Sequence, residues 1–358
     1  MAAGSGTLRA RVKRWLEPVR YLPFALGRPR SPRTVVIDPL ARCNLACPLC
    51  PTGRGHQTSS GKGILSLPLY CKILDQLPRL RTLRLWNWGE PLIHPQIDEI
   101  IAIAARRGIT VHAHSHLSLK KDDAFFERLI DAGLTSLWVS LDGASEQTYA
   151  RYRVGGDFGL ALANLERLAR IRRRLGSKTP RIVWKFIVHR HNVHEVETAR
   201  RMAREIGVEF TTAPIGLADD LVDYAIGESL EERRREWLPD EPAARAPIYR
   251  TDDAAARVPI HEGRCSHLFE RPVISPSGDV MPCGYATHPG NAFGNLERTP
   301  FAEIWDNAAY RYSRSLFVRP LSERAHSDVQ KNLCTTCPNF RQRNAAMAGS
   351  VSSRLANS

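Results

Sequence analysis

The sequence predicts an α/β fold built on parallel strands, and three observations carry that reading. Short apolar runs alternate with amphipathic stretches of helical spacing between Thr34 and Pro214. Strand–helix–strand repeats of this kind pair in parallel through right-handed crossovers. Polar or glycine-bearing motifs fall just after the first, second and fourth strands, the ends where parallel α/β folds collect their ligand sites.

Thr34-Val35-Val36-Ile37-Asp38 reads as a buried strand leading into a cysteine loop. Gly53 to Gly63, rich in glycine and serine, reads as a mobile loop. Ser66 caps a helix running to about Leu77. The second strand is Thr82 to Trp86, followed by Asn87-Trp88-Gly89-Glu90-Pro91. Ile97, Ile100, Ile101 and Ala104 mark the next helix, Thr110 to Ser115 the third strand, and Phe125, Leu129 and Ile130 a helix ending at Gly133. Ser136 to Leu141 is the fourth strand, with Asp142-Gly143 after it, a short helix from Ser145 and a longer one from Phe158 to Leu175. Arg181 to Val188 and Glu209 to Pro214 are the last two strands, with a helix stopping at Gly207 between them. The strands read as apolar runs covered on both faces. A closed eight-unit barrel would need two more units, which leaves a partial barrel or an open sheet.

Beyond this region the pattern changes. Val273 to Met281 reads as a hairpin with Pro-Ser-Gly at its turn, and Pro300 to Tyr310 as one helix burying Phe301, Ile304, Trp305 and Ala308. Composition shifts divide the chain into a basic arm (1–33), an α/β unit (34–216), a connecting segment (217–260), a cysteine-rich unit (261–340) and a tail (341–358) expected to be disordered. Arg9 to Leu16 in the arm reads as a short basic helix or part of a flexible arm.

The 43% hydrophobic and 25% charged residues are those of an ordinary globular chain. No apolar run is long enough to span a membrane, and no secretory signal opens the chain, so a reducing, cytoplasmic location is expected. The net charge of +14 is spread out, and no basic run is interleaved with aromatics, so a nucleic-acid partner is not expected. An anionic substrate or an acidic reductase partner fits the same charge.

Cys43-Asn44-Leu45-Ala46-Cys47-Pro48-Leu49-Cys50 places three thiols on one short loop. Such a loop can hold three irons of a 4Fe–4S cubane. If no distant cysteine completes the set, one iron keeps an open site for a small ligand. A zinc loop and a chance grouping are the alternatives.

With these residues the chain resembles the radical S-adenosylmethionine (SAM) enzymes, over about Thr34 to Asn339. The resemblance makes Cys43, Cys47 and Cys50 the ligands of a cluster whose open iron is chelated by SAM, and implies a partial (βα)6 TIM-like barrel. SAM is then cleaved reductively, and a 5′-deoxyadenosyl radical takes a hydrogen atom from the substrate. Gly89-Glu90-Pro91 resembles the family's GGEP segment, which holds the SAM amine. Ser140 matches the position that binds the ribose, and Asp142 either assists it or caps the next helix. Leu49 stands where many members have an aromatic, Trp88 replaces the first glycine of GGEP, and His114-Ser115-His116-Leu117 stands where many have Thr-Asn-Gly.

Cys265, Gly278-x4-Cys283 and Cys334-x2-Cys337 resemble the SPASM and twitch extensions of the same superfamily. This implies one auxiliary 4Fe–4S cluster on Cys265, Cys283, Cys334 and Cys337; a tetrahedral zinc site is the rival. Arg343 stands where a fuller set would continue, which places the unit closer to the twitch form. The expected function is oxidation or epimerisation of a sugar or other small hydroxylated metabolite, with Cys71 as a candidate hydrogen donor. Peptide maturation is the alternative, and a non-catalytic iron–sulfur carrier or metal-binding RNA module the reading from another class. A flavodoxin- or ferredoxin-type electron donor is the expected partner.

Overall fold

The structure, a computed structural model, describes residues 29–56, 58–60, 63–218, 227–245, 265–318 and 332–337. The expected basic helix at Arg9–Leu16 and the expected disordered tail lie outside these residues. Six strands and their helices build the larger part: β1 (Thr34–Ile37), α1 (Leu67–Asp75), β2 (Thr82–Leu85), α2 (Ile97–Arg106), β3 (Thr110–Ser115), α3 (Asp123–Asp131), β4 (Ser136–Ser140), α4 (Glu146–Tyr152), α5 (Phe158–Arg174), β5 (Arg181–Val188), α6 (Val196–Ile206) and β6 (Glu209–Pro214). Four of the helices start on a side chain that accepts a hydrogen bond from the first turn: Ser66, Asp122, Ser145 and Asp157.

β1 to β6 lie in sequence order, each parallel to the one before it. The outer edge of β1 does not meet β6. It pairs in parallel with β7 (Val273–Ile274), which continues antiparallel into β8 (Asp279–Met281) and β9 (Gly294–Asn295). The expected hairpin is therefore present and is also part of the same nine-stranded sheet. This is the partial barrel, with the cysteine-rich unit closing one edge.

The strands differ from the expected two-sided apolar runs. Leu83, Leu85, Val111, Ala113, Leu137 and Val139 face the helices and are 0% exposed. Their neighbours Arg84, His112, His114, Trp138 and Ser140 face inward and stay partly exposed. One face packs a dry core, worth about 1.5–3 kcal/mol for each large side chain, and the other lines an open lumen.

Three further differences bear on the site. The connecting segment holds a helix, α7 (Leu230–Trp237), started by a reciprocal capping box between Ser229 and Glu232. Its Trp237 packs edge-on against Tyr152 and His189. The single helix expected from Pro300 to Tyr310 is two, α8 (Phe301–Trp305) and α9 (Ala308–Val318). Asn307 breaks it: its amide donates to Phe293 O (2.7 Å) and its Oδ1 accepts from Tyr310 N–H (3.0 Å). Finally, the loop expected to be mobile is anchored where it is described. Thr58 and Ser59 are buried, and Ser60 Oγ donates to Asp279 Oδ2 at 2.6 Å in the hairpin.

Candidate active site

The first cysteine loop leaves β1 at Asp38 and is held from three sides. Asp38 Oδ2 accepts from Trp88 N–H (3.0 Å) and Gly89 N–H (3.2 Å), which ties β1 to the loop after β2. Glu90 N–H donates to Arg42 O at 2.8 Å, just before Cys43. Gly89 sits so close to Leu40 that an added Cβ would lie 1.4 Å from its carbonyl oxygen. At the far end Gly53 packs on Cys47, where a Cβ would meet the Cys47 nitrogen at 2.6 Å. The Gly89-Glu90-Pro91 segment and the cysteines therefore meet, as expected, by backbone contacts that tolerate only glycine.

Glu90 is 2% exposed, and both of its oxygens are engaged. Oε1 accepts from Leu92 N–H (3.0 Å) and caps the turn Pro91–Ile93; Oε2 accepts from His116 N–H (3.0 Å). Ser118 N–H donates to His116 Nδ1, which leaves the ring proton on Nε2, 3.2 Å from Glu90 Oε2. Burial pushes Glu90 up to about 7 and Asp38 up to about 6, from ordinary values of 4.5 and 3.8. It pushes His116 down to about 3, so the ring is neutral.

The sign of the resulting pH dependence follows. Raised carboxyl groups hold protons better folded than unfolded. Their contribution to stability is complete below the unfolded values and is lost as pH rises through the folded ones. Cluster-free Glu90→Gln protein is expected to gain stability relative to the parent as pH rises from 4.5 to about 7, by at most about 1.4 kcal/mol per pH unit. Urea denaturation across that range checks this, and a difference that does not change with pH refutes it.

Asp142 takes neither expected part. It is 0% exposed, and Oδ1 accepts from Ile187 N–H at 2.7 Å. Arg153 Nε and Nη2 grip Oδ2 at 2.6 and 2.5 Å. The next helix is capped by Ser145 instead, whose hydroxyl is in turn braced by Glu195 at 2.7 Å. Arg153, which sequence reasoning missed, turns its Nη1 to Cys47 Sγ at 3.7 Å. Ser140 ends β4 on the lumen side, opposite Lys185 of β5. A lone lysine within the apolar run of β5 was the available signal for Lys185. Cys71 is not brought to the site: it lies on α1 in the outer layer, lining a groove with Lys72, Leu296 and Pro300.

None of the eight cysteines forms a disulfide. Cys43, Cys47 and Cys50 fall within one electrostatic neighbourhood. Burial pushes Cys43 up to about 12, and Glu90, Cys47 and Cys50 add to the shift. Cys265, Cys334 and Cys337 likewise act on Cys283, which burial raises strongly. Cys283 packs in one apolar cluster with Trp86 and Leu333, so the second cysteine group borders the lumen. Among the described residues no three His, Cys, Asp or Glu side chains form the ligand set of a single metal ion. A cubane instead takes each thiolate on its own iron. Two sets of unoxidised thiols, Cys47 buried and the others partly so, fit that donor chemistry.

The radical SAM superfamily profile matches residues 37–179, and that of the SPASM iron–sulfur cluster-binding domain matches residues 265–338. The chain is 28% identical over 304 residues to the AdoMet-dependent heme synthase of Methanosarcina barkeri, covering 78% of this chain and 83% of that protein. It is 26% identical over 303 residues to the PqqA peptide cyclase of Xanthomonas campestris, covering 77% and 74%. The crystal structure of Streptococcus suis SuiB bound to S-adenosylmethionine superposes with a TM-score of 0.58 at 14% identity, over 93% of this chain and 77% of that one. No described helix is long and apolar enough to cross a membrane. The fold, the two cysteine groups and these matches agree: the chain belongs to the radical SAM superfamily, carries a C-terminal SPASM-type domain, and is an enzyme whose cofactors are SAM and 4Fe–4S clusters.

Proposed function

We propose that the protein modifies a peptide by radical chemistry, with Cys43, Cys47 and Cys50 holding the SAM-cleaving cluster and Cys265, Cys283, Cys334 and Cys337 one auxiliary cluster. The observation that supports the radical chemistry is the meeting of the three thiols with the Gly89-Glu90-Pro91 loop. Bound there, cluster and SAM supply hydrogen-atom abstraction from an unactivated carbon. The chain's own residues position and shield that chemistry. Asp38 and Glu90 lock the loop after β2 against the cysteine loop. Asp142 aims Arg153 at Cys47. Ser140 offers the lumen a hydroxyl at the position assigned to the ribose.

The likeness to a peptide cyclase over most of its length supports a peptide in place of the small hydroxylated metabolite expected from sequence. The likeness to a heme synthase favours a second reading, radical modification of a small molecule. A short precursor peptide encoded beside the gene supports the first reading, and cofactor-biosynthesis genes the second. A reducing cytoplasm and a flavodoxin- or ferredoxin-type donor go with either.

The deciding experiment incubates reconstituted protein with SAM and dithionite. 5′-Deoxyadenosine is expected, with roughly eight irons per chain at four per cluster. Replacing Cys43, Cys47 and Cys50 by serine should remove the product and about half the iron. Iron-loaded parent protein that makes no 5′-deoxyadenosine would be an electron carrier and not this enzyme.

A further inference from the structure

One helix of the cysteine-rich unit is tied to each segment that brings an auxiliary cysteine. Arg314 of α9 donates from Nε to Leu268 O at 2.8 Å, just past Cys265. Phe293 packs edge-on against Tyr310 of α9, with ring centroids 4.9 Å apart, and its N–H donates to Val280 O (2.8 Å), just before Cys283. Asn332 donates from Nδ2 to Ser313 Oγ (2.8 Å) and accepts at Oδ1 from Cys334 N–H (3.0 Å), in the segment that goes on to Cys337. Tyr310, Ser313 and Arg314 are spaced to share one face of a helix, and that face meets the cysteine group.

Tyr310 is fully buried. Its ring is held by Phe293, by Trp305 at 4.7 Å and by the Arg314 guanidinium, 4.7 Å from its centre. Its hydroxyl has no hydrogen-bond partner among the described residues. A buried hydroxyl left unpaired costs about 1–3 kcal/mol, so such groups as a rule find an acceptor. The thiols of Cys334, Cys283 and Cys265 all act on this phenol, and burial keeps it protonated. Ser313 is fully buried as well. Its oxygen accepts from Asn332, so its own proton is left for another acceptor, and it acts on the Cys334 thiol as a hydrogen-bond partner.

We infer that Tyr310 Oη and Ser313 Oγ donate hydrogen bonds to the sulfurs of the auxiliary cluster, and that these bonds hold its reduction potential up. Reduction adds negative charge to the sulfurs, and donated hydrogen bonds favour that state. The buried Arg314 guanidinium works in the same direction, since its charge over the ring makes the phenol a better donor. Neither hydroxyl ligates iron; both tune a centre that Cys265, Cys283, Cys334 and Cys337 hold. The inference rests on the reading of those four cysteines as the ligands of one cluster.

Potentiometric titration of the loaded full chain, with Cys43, Cys47 and Cys50 replaced by serine, reads the auxiliary cluster alone. Tyr310→Phe and Ser313→Ala should each shift the one-electron equilibrium about tenfold towards the oxidised state, a fall of about 59 mV. Both should keep about four irons per chain. An exchangeable proton coupled to the reduced cluster should vanish from the electron–nuclear double resonance spectrum in Tyr310→Phe. Cluster-free Tyr310→Phe should resist urea at least as well as its parent, since it loses only an unpaired hydroxyl. A tyrosine with a merely structural role would lose stability or iron and leave the potential where it was. Tyr310→Phe with its iron retained and its potential unchanged overturns the inference, and so does loss of its iron. A parent that carries zinc in place of the second cluster overturns the inference together with the cluster reading beneath it, and metal content alone tells that result from the others.

Discussion

Replacing Arg153 by methionine is expected to cost about 3–5 kcal/mol of stability, because it strands a fully buried carboxylate. Against a total of about 5–15 kcal/mol that is a large fraction. The same substitution should lower the reduction potential of a cluster bound at Cys47. The guanidinium lies 3.7 Å from Cys47 Sγ, and both a hydrogen bond to sulfur and a positive charge favour the reduced, more negative state. The two effects separate in a double variant. Asp142→Asn with Arg153→Met removes the stranded charge and keeps an oxygen for Ile187 N–H, so stability should largely return. The potential should not. Urea denaturation of the cluster-free protein reads the first quantity and a potentiometric titration of the loaded protein the second. If the single variant matches the parent in both, Arg153 has no bearing on the site.

Gly89→Ala is expected to separate the cysteine loop from the loop after β2. The new methyl would stand 1.4 Å from Leu40 O and 2.6 Å from Leu40 C. Both are backbone atoms, so no side-chain rotation relieves the clash. Overpacking of this kind costs about 1–3 kcal/mol when the surroundings yield. What must yield here is the bond from Glu90 N–H to Arg42 O and the pair accepted by Asp38. The protein should fold yet load poorly at Cys43, Cys47 and Cys50. Iron per chain should fall from roughly eight towards four, with the auxiliary site retained. Gly216→Ala serves as the control, since nothing lies within 4 Å of the Cβ it would add. A Gly89→Ala protein with full iron would show that the two loops are not welded as described.

Much of this arrangement is legible along the chain, for local reasons. β3, β5 and β6 begin and end where the alternation of residues places them, because each is bounded by turn chemistry within a few positions. The helix starts at Ser66 and Ser145 rest on a hydroxyl that reaches only three residues ahead. The first cysteine loop is legible for the same reason, since its thiols are close in sequence before any folding. Where local signals were weighed wrongly, the structure corrects the emphasis. Ser229 and Glu232 cap a helix inside what reads as a connecting segment, and Asn307 divides a stretch whose apolar spacing continues across the break.

The sequence by itself determined the succession of strands and helices, the first cysteine loop and the motifs at the strand ends, because each depends on residues a few positions apart. Only the tertiary structure decided that β7 closes the open edge of β1, that Asp142 grips Arg153 rather than a ribose, and that Cys71 faces the outer layer. These depend on which faces of distant segments meet once the sheet curls, and a side chain's partner across a lumen leaves no periodicity in the chain that carries it.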